Sequence, residues 1–272
     1  MPVNRTETTI RTLDGLHLRG TLDTSDTPTD RSIVLVHGGG VTRDEGGFFT
    51  RLATGLAEAG VAALRYDLRG HGESDGAQQD ATLAGHLNDI AVALQHVREV
   101  TGATRVSLLG TSFGGGLAAY YAGTRPAELD RLVLLNPQLN YQNRYIEQKP
   151  YWDGDHLNDE MAAHLAEQGF IAHSPTVKQG RAFLNEVFWI RPLDVLDKIT
   201  APTLLVHGTQ DTFVPVDVSR QADQQIRGEH RLVEIEGAQH GFAVHDDPEY
   251  ADPQSQAWQR FVIETVCDWV TA

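Results

Sequence analysis

An open, mostly parallel α/β sheet with helices on both faces is the fold class this sequence predicts, and three observations predict it. Short β-branched or leucine-rich runs recur along the chain, at 32–36, 61–66, 105–109, 132–135, 203–207 and 231–235. Stretches with helical spacing stand between most of them, and parallel strands need such crossovers. Several runs stop abruptly at glycine, as at His37-Gly38-Gly39-Gly40, Gly110 and His207-Gly208, which is how buried parallel strands enter tight loops. At 272 residues, one such domain accounts for the chain.

Taken in order, Thr6 to Leu22 alternates around Leu13-Asp14-Gly15 and reads as an antiparallel hairpin. Ser32 to Val36 reads as the first buried parallel strand. Phe49, Leu52, Leu56 and Ala59 recur at helical spacing and stop at Gly60. Val61 to Tyr66 is a strand, Ala81 to Val100 a helix with Leu83, Leu87, Ile90 and Leu94 on one side, and Arg105 to Leu109 a strand. Phe113 to Gly123 reads as a small-residue helix and Leu132 to Leu135 as a strand. Thr203 to His207 and Arg231 to Ile235 are the last strands, with helices at Val216 to Ile226 and Gln254 to Val270.

From Asn136 to about Pro192 the alternation breaks. The stretch is too long for one crossover helix, and it gathers Tyr141, Tyr145, Tyr151, Trp152, Phe170, Phe183, Phe188 and Trp189. Apolar side chains away from the sheet need a surface of their own, so residues 136–192 are expected to form an inserted cap on a core made of 1–135 and 193–272. A helical excursion packed only for stability is the plainer alternative.

The 22 basic and 37 acidic side chains leave a net charge of −15, which repels phosphate backbones and anionic lipid surfaces, so neither nucleic acid nor membrane is expected as a partner. Neutral or weakly charged small molecules are favoured unless a local basic pocket overrides the field. Cys267, the only cysteine, excludes an intramolecular disulfide and a cysteine-rich metal site. No histidine-carboxylate cluster has metal-ligand spacing and no dinucleotide or phosphate-loop fingerprint is present, so no metal or cofactor is expected. Met1 to Thr9 lacks the apolar core of a secretory signal and no run approaches ~18 apolar residues, which predicts cytoplasmic residence unless a leader has been removed. The sequence carries no signal for oligomeric state.

Gly110-Thr111-Ser112-Phe113-Gly114 places a Gly-x-Ser-x-Gly pattern between an apolar strand and a helix. A sharp strand-to-helix turn crowds the backbone, and Gly110 and Gly114 remove the side chains that would collide there. Ser112 then stands at the carboxyl end of the sheet as the candidate nucleophile; a capping serine in a glycine-rich turn is the structural alternative. A serine hydroxyl needs an adjacent base held in one tautomer by a third group. Asp211 follows the strand 203–207 and His240 follows the strand 231–235, so they are the candidate acid and base, in the chain order Ser112, Asp211, His240. Among competitors, His207 reads as a loop-orienting residue, Asp217 and Asp223 fall on a helix, His245 lies further along the same loop, and Asp246 and Asp247 read as solvated charge. His86 and His96, on a predicted helix, read as surface or packed residues, and His71 as a loop anchor. Acyl transfer builds charge on the carbonyl oxygen, and the backbone N–H groups of Phe113 and Gly39 are the candidate oxyanion donors.

His37-Gly38-Gly39, Asp67-Leu68-Arg69-Gly70-His71-Gly72-Glu73-Ser74, Gly110-Thr111-Ser112-Phe113-Gly114-Gly115, His207-Gly208-Thr209-Gln210-Asp211 and Gly237-Ala238-Gln239-His240 together resemble the α/β-hydrolase superfamily. The likeness spans most of the chain outside 136–192. Within the superfamily the chain looks like the compact cinnamoyl or feruloyl esterases, whose cap holds the aromatic acid portion of an ester. That resemblance implies the α/β-hydrolase fold and a serine esterase acting on small-molecule esters of hydroxycinnamic acids. It leaves open a general short-chain carboxylesterase, a thioesterase or amidase, a carbon-carbon hydrolase on the same triad and, in another class, a noncatalytic receptor. Thr111 replaces a histidine common in relatives, and Phe113 replaces a polar residue or methionine, which favours an apolar or aromatic acyl group. Tyr141, Tyr145, Trp152, Phe188 and Trp189 are the candidate substrate-binding residues.

Overall fold

The computed structural model describes residues 2–245 and 247–272; Met1 and Asp246, the latter read from sequence as a solvated charge, lie outside the described residues. The chain opens with β1 (Val3–Arg11) and β2 (His17–Ser25), an antiparallel hairpin paired along its whole length. There follow β3 (Arg31–Val36), α1 (Phe48–Glu58), β4 (Ala62–Tyr66), α2 (Leu83–Thr101), β5 (Arg105–Thr111), α3 (Ser112–Thr124) and β6 (Leu132–Leu135). The segment after β6 carries β7 (Trp152–Asp153), β8 (His156–Leu157), α4 (Asp159–Gln168), β9 (Phe170–Ser174), β10 (Val177–Gly180) and α5 (Arg181–Glu186). β11 (Thr203–Gly208), α6 (Asp217–Gln225), β12 (His230–Ile235) and α7 (Pro253–Thr271) complete it.

Eight strands form one sheet in the order β1-β2-β4-β3-β5-β6-β11-β12. β2 meets β4 antiparallel, and every pairing from β4 to β12 is parallel. This is the α/β-hydrolase fold that the sequence resemblance implied, and the helices and strands of the sheet fall within a few residues of their expected bounds.

Side-chain alternation along β3 divides the core in two. Val34 and Val36 face α2 and α3, packing with Leu83, Ile90, Leu94 and Leu117. Ile33 and Leu35 face the other way, onto Phe49, Leu52 and Leu56 of α1 and Val262 and Val266 of α7. A strand buried on both faces has no room for the polar alternation of an edge strand, which is why these runs are continuously apolar.

Segment 136–192 adds no strand to the eight-stranded sheet: β9 pairs β10, and β7 pairs β8, each as a separate two-stranded ribbon. Aromatic concentration did not announce these ribbons, because strands of two to five residues carry little usable period. Among the described residues no helix is long and apolar enough to cross a membrane.

Candidate active site

β5 ends at Thr111 and α3 begins at Ser112 with no intervening loop, so the chain reverses within one residue. Ser112 takes the cost of that turn with φ at +50°, a left-handed value rare outside glycine. The glycines flanking it make the turn possible by contact as well as by torsion. A Cβ on Gly110 would overlap the Gly114 carbonyl, and one on Gly114 would lie 2.5 Å from the carbonyl oxygens of Val36 and His37. α3 is therefore seated directly on the end of β3, and Ser112 stands where the loop leaving β3 passes.

That loop is pinned. His37 Nδ1–H donates to the Gly38 carbonyl at 2.7 Å, and the Leu68 N–H donates to His37 Nε2 at 2.9 Å. Both bonds require neutral imidazole, and burial, helped by nearby His71, pulls the His37 pKa down to about 4. The Gly38 N–H is taken by Glu45 Oε2 at 3.0 Å. The next residue, Gly39, lines the cavity, and a Cβ there would lie 3.7 Å from Phe113 Cβ. Phe113 sits in the first turn of α3, where an N–H has no helical acceptor. The two residues selected from sequence as oxyanion donors thus lie side by side at the cavity that Ser112 also lines. Burial pushes the Glu45 carboxyl up to about 7 against the opposing pull of the Gly38 N–H and the His240 charge.

Asp211 and His240 come together from the loops after β11 and β12, with His240 Nδ1 2.6 Å from Asp211 Oδ2. The carboxylate is held on its other side by the N–H groups of Phe213 and Val214, which donate to Oδ1 at 2.8 and 2.9 Å. His207, buried at the end of β11, puts Nε2 2.8 Å from the Val214 carbonyl and 3.4 Å from Asp211 Oδ2, while its Nδ1 lies 2.7 Å from Ser219 Oγ. A carbonyl only accepts, so His207 carries its proton on Nε2 and takes one from Ser219 on Nδ1. This is the loop-orienting role its sequence position implied. Burial works against the Asp211 carboxylate, but the hydrogen bonds from His207 and His240 outweigh it and hold the pKa far below the ordinary value. A permanently ionised acid fixes His240 with Nδ1 protonated, leaving Nε2 as the basic nitrogen.

Ser112, His240, Gly39 and Phe113 line one cavity of about 260 Å³. That lies just below the range of ordinary ligand pockets, roughly 300–1,000 Å³. Of the five aromatic residues selected from sequence as substrate contacts, Tyr145 alone lines it. Tyr141 is buried behind the wall, its ring 5.5 Å from that of Phe113 and its hydroxyl donating to the Phe113 carbonyl at 2.6 Å. Trp152 and Phe188 meet edge to face at 5.9 Å, off the cavity, and Trp189 is 83% exposed. Aromatic density located the segment but not the direction of each ring, which long-range packing sets.

The cavity wall instead includes Phe183, His86, His173, Gln138, Gln179 and Phe213. His86 was within reach of sequence reasoning: it shares the buried face of α2 with Leu83 and Ile90, at spacings of three and four. Phe183 lies on α5, which at six residues is too short to show a period, and the others sit on loops and ribbons.

The order of strands, the serine at the β5 to α3 turn and the two late loops define the class: the chain has the α/β-hydrolase fold, and the comparisons support a hydrolase of that family. A family model described as serine aminopeptidase, S33, matches residues 27–154. A non-heme chloroperoxidase of Kitasatospora aureofaciens is 29% identical over 251 residues, 79% of this chain and 86% of the relative. A monoacylglycerol lipase of Mycolicibacterium smegmatis is 24% identical, covering 98% of each chain. Among solved structures, Est1E of Butyrivibrio proteoclasticus with ferulic acid bound is similar at a TM-score of 0.75 and 25% identity, covering 95% of this chain and 99% of that one.

Proposed function

We propose that this chain is a serine-dependent carboxylic ester hydrolase that works through an acyl-enzyme on small esters of aromatic acids. The observation that carries the reading is that Ser112, strained at the elbow, and a histidine whose Nδ1 is tied to a buried carboxylate line the same cavity. In the first step Ser112 Oγ attacks the ester carbonyl while His240 Nε2 takes its proton, and the same proton passes to the departing alcohol. Water, deprotonated by His240, then attacks the acyl-serine and releases the acid. Asp211 orients His240 and stabilises its cation. The N–H groups of Gly39 and Phe113 receive the negative oxygen of each tetrahedral intermediate, each such donor being worth ~100-fold to 1,000-fold in turnover.

The acid is assigned as aromatic because Phe113, Phe183 and Tyr145 line the cavity, and because Est1E, similar over nearly its whole length, carries ferulic acid in its structure. Residues 136–192 serve as the cap in this reading, supplying Tyr145, His173 and Phe183. A short-chain carboxylesterase is the second reading, favoured by the small cavity volume.

Fluorophosphonate labelling of the folded protein, lost in Ser112→Ala, tests the nucleophile. A rate panel of methyl hydroxycinnamates against short and long nitrophenyl esters tests the acid: preference for the hydroxycinnamates supports the first reading and preference for acetate or butyrate the second. Unchanged ester turnover in Ser112→Ala overturns both.

A further inference from the structure

One side of the cavity carries paired basic side chains in a chain that is otherwise strongly acidic. An aromatic wall leads there from the nucleophile: Phe113 lies 6.1 Å from Phe183, Phe183 5.2 Å from Tyr145, and Tyr145 5.0 Å from His173, between ring centroids. Beyond it, Arg144 and Lys149 line the same cavity. Among the described residues neither has a carboxylate within ion-pair distance, although the chain holds 37 acidic side chains and pairs Arg43, Arg65, Arg69 and Arg105 with them. They also act on one another and on their surroundings. Burial and the Arg144 charge lower the Lys149 pKa, and burial, Lys149 and Arg144 pull His173 down to about 4. Two cations held together without a counter-charge repel, and the arrangement is at its lowest energy when an anion joins them.

Two further polar groups wait at the wall. Gln179 is buried with neither side-chain atom hydrogen-bonded, and the buried His173 Nδ1 is likewise without a partner among the described residues. Native proteins seldom leave buried polar atoms unpaired, and both residues line the cavity where a ligand would satisfy them.

We infer that the substrate carries a carboxylate on its acyl part, remote from the scissile ester, which Arg144 and Lys149 receive at the far end of the Phe113-Phe183-Tyr145 wall. This names the acid more closely than the esterase reading and rests on it. The acyl side is assigned because the leaving alcohol takes its proton from His240 and so departs beside His240 and Phe213, whose rings lie 5.3 Å apart, whereas the wall begins at Phe113. A half-ester of an aromatic dicarboxylic acid has the required chemistry: a flat ring for the wall, an ester at one end and an anion at the other.

The test compares methyl 4-carboxycinnamate with methyl 4-carbamoylcinnamate, equal in shape and different in charge. The wild-type kcat/KM is expected to favour the carboxylate about tenfold or more, as a charge-assisted hydrogen bond does over a neutral one. The ratio should approach one in Arg144→Gln/Lys149→Gln and be largely retained in Arg144→Lys. In Ser112→Ala, titration calorimetry with the intact esters should give the same order of affinity, also lost when the Arg144 and Lys149 substitutions are added. A binding preference without turnover of any ester leaves the anion site standing and overturns the esterase reading. Turnover of neutral esters with a ratio near one in the wild type, or a ratio unchanged in the double variant, leaves the esterase and overturns the anion site. Charge selectivity that follows a carboxylate on the alcohol part instead overturns the acyl-side assignment.

Discussion

Gly114→Ala tests the geometry on which the site depends. The added Cβ would lie 2.5 Å from the carbonyl oxygens of Val36 and His37 and 2.9 Å from the Val36 carbonyl carbon. These are backbone atoms at the end of β3 and cannot rotate aside. Ordinary contact begins at 3.4 Å, so the start of α3 or the end of β3 must retreat by about 0.9 Å. Ser112 and Phe113 ride on the first of these elements and Gly39 follows the second, so the retreat falls on the spacing between nucleophile and oxyanion donors. A displacement of ~1 Å in a reacting constellation costs on the order of 100-fold, and overpacking costs ~1–3 kcal/mol of stability. The expected outcome is a folded protein with kcat/KM for a methyl hydroxycinnamate down about 100-fold, measured beside the thermal unfolding midpoint. Gly102→Ala is the control: it closes α2 at φ +73° with nothing within 4 Å of the added Cβ, so it should cost ~1 kcal/mol of stability and no activity. A Gly114→Ala protein with wild-type kcat/KM would refute the claim that this contact sets the catalytic spacing.

Asp211→Asn removes the acceptor that holds the proton on His240 Nδ1, and kcat/KM at neutral pH should fall by ~10⁴ while the fold persists by circular dichroism; a loss under tenfold would contradict the orienting role. Glu45 has its pKa raised in the folded state, from 4.5 to about 7, so the native protein binds the extra proton in that window and loses stability as pH rises through it. Glu45→Gln, whose amide oxygen still accepts from Gly38, should match the wild type near pH 4 and unfold at a higher temperature at pH 8; equal midpoints at pH 8 would count against the shift. Arg69 grips buried Asp89 with Nε and Nη2 at 2.7 and 2.6 Å and reaches Asp14 at 2.9 Å. Arg69→Ala leaves Asp89 buried and uncompensated and should cost ~3–5 kcal/mol in urea unfolding; a loss below ~1 kcal/mol would mean water replaces the guanidinium.

Much of this fold was legible because its signals are local. The runs at β3, β5, β6 and β11 are apolar on both faces, which only a covered parallel strand requires, and Gly60 marks the stop of α1 by chain chemistry alone. Gly110, Ser112 and Gly114 declare a sharp turn within five residues. Asp211 and His240, 29 positions apart, were legible for a different reason: in a parallel sheet every strand ends at the same edge, so residues just past neighbouring strands share one end of the molecule.

The acid-recognition end was not legible from the chain. Tyr145 faces the cavity while Tyr141, four positions earlier and of the same type, lies behind its wall, and Trp189 faces solvent. No difference in local composition separates them. Likewise, the net charge of −15 pointed to neutral substrates, whereas Arg144 and Lys149 stand together at the cavity with no acidic partner among the described residues. Strand and turn signals arise between residues adjacent in sequence, and one-dimensional reading captures them. The direction of a side chain within segment 136–192, and the charge it meets there, arise from contacts between distant segments, such as Tyr145 with Phe183 and His173, which exist only once the chain has packed.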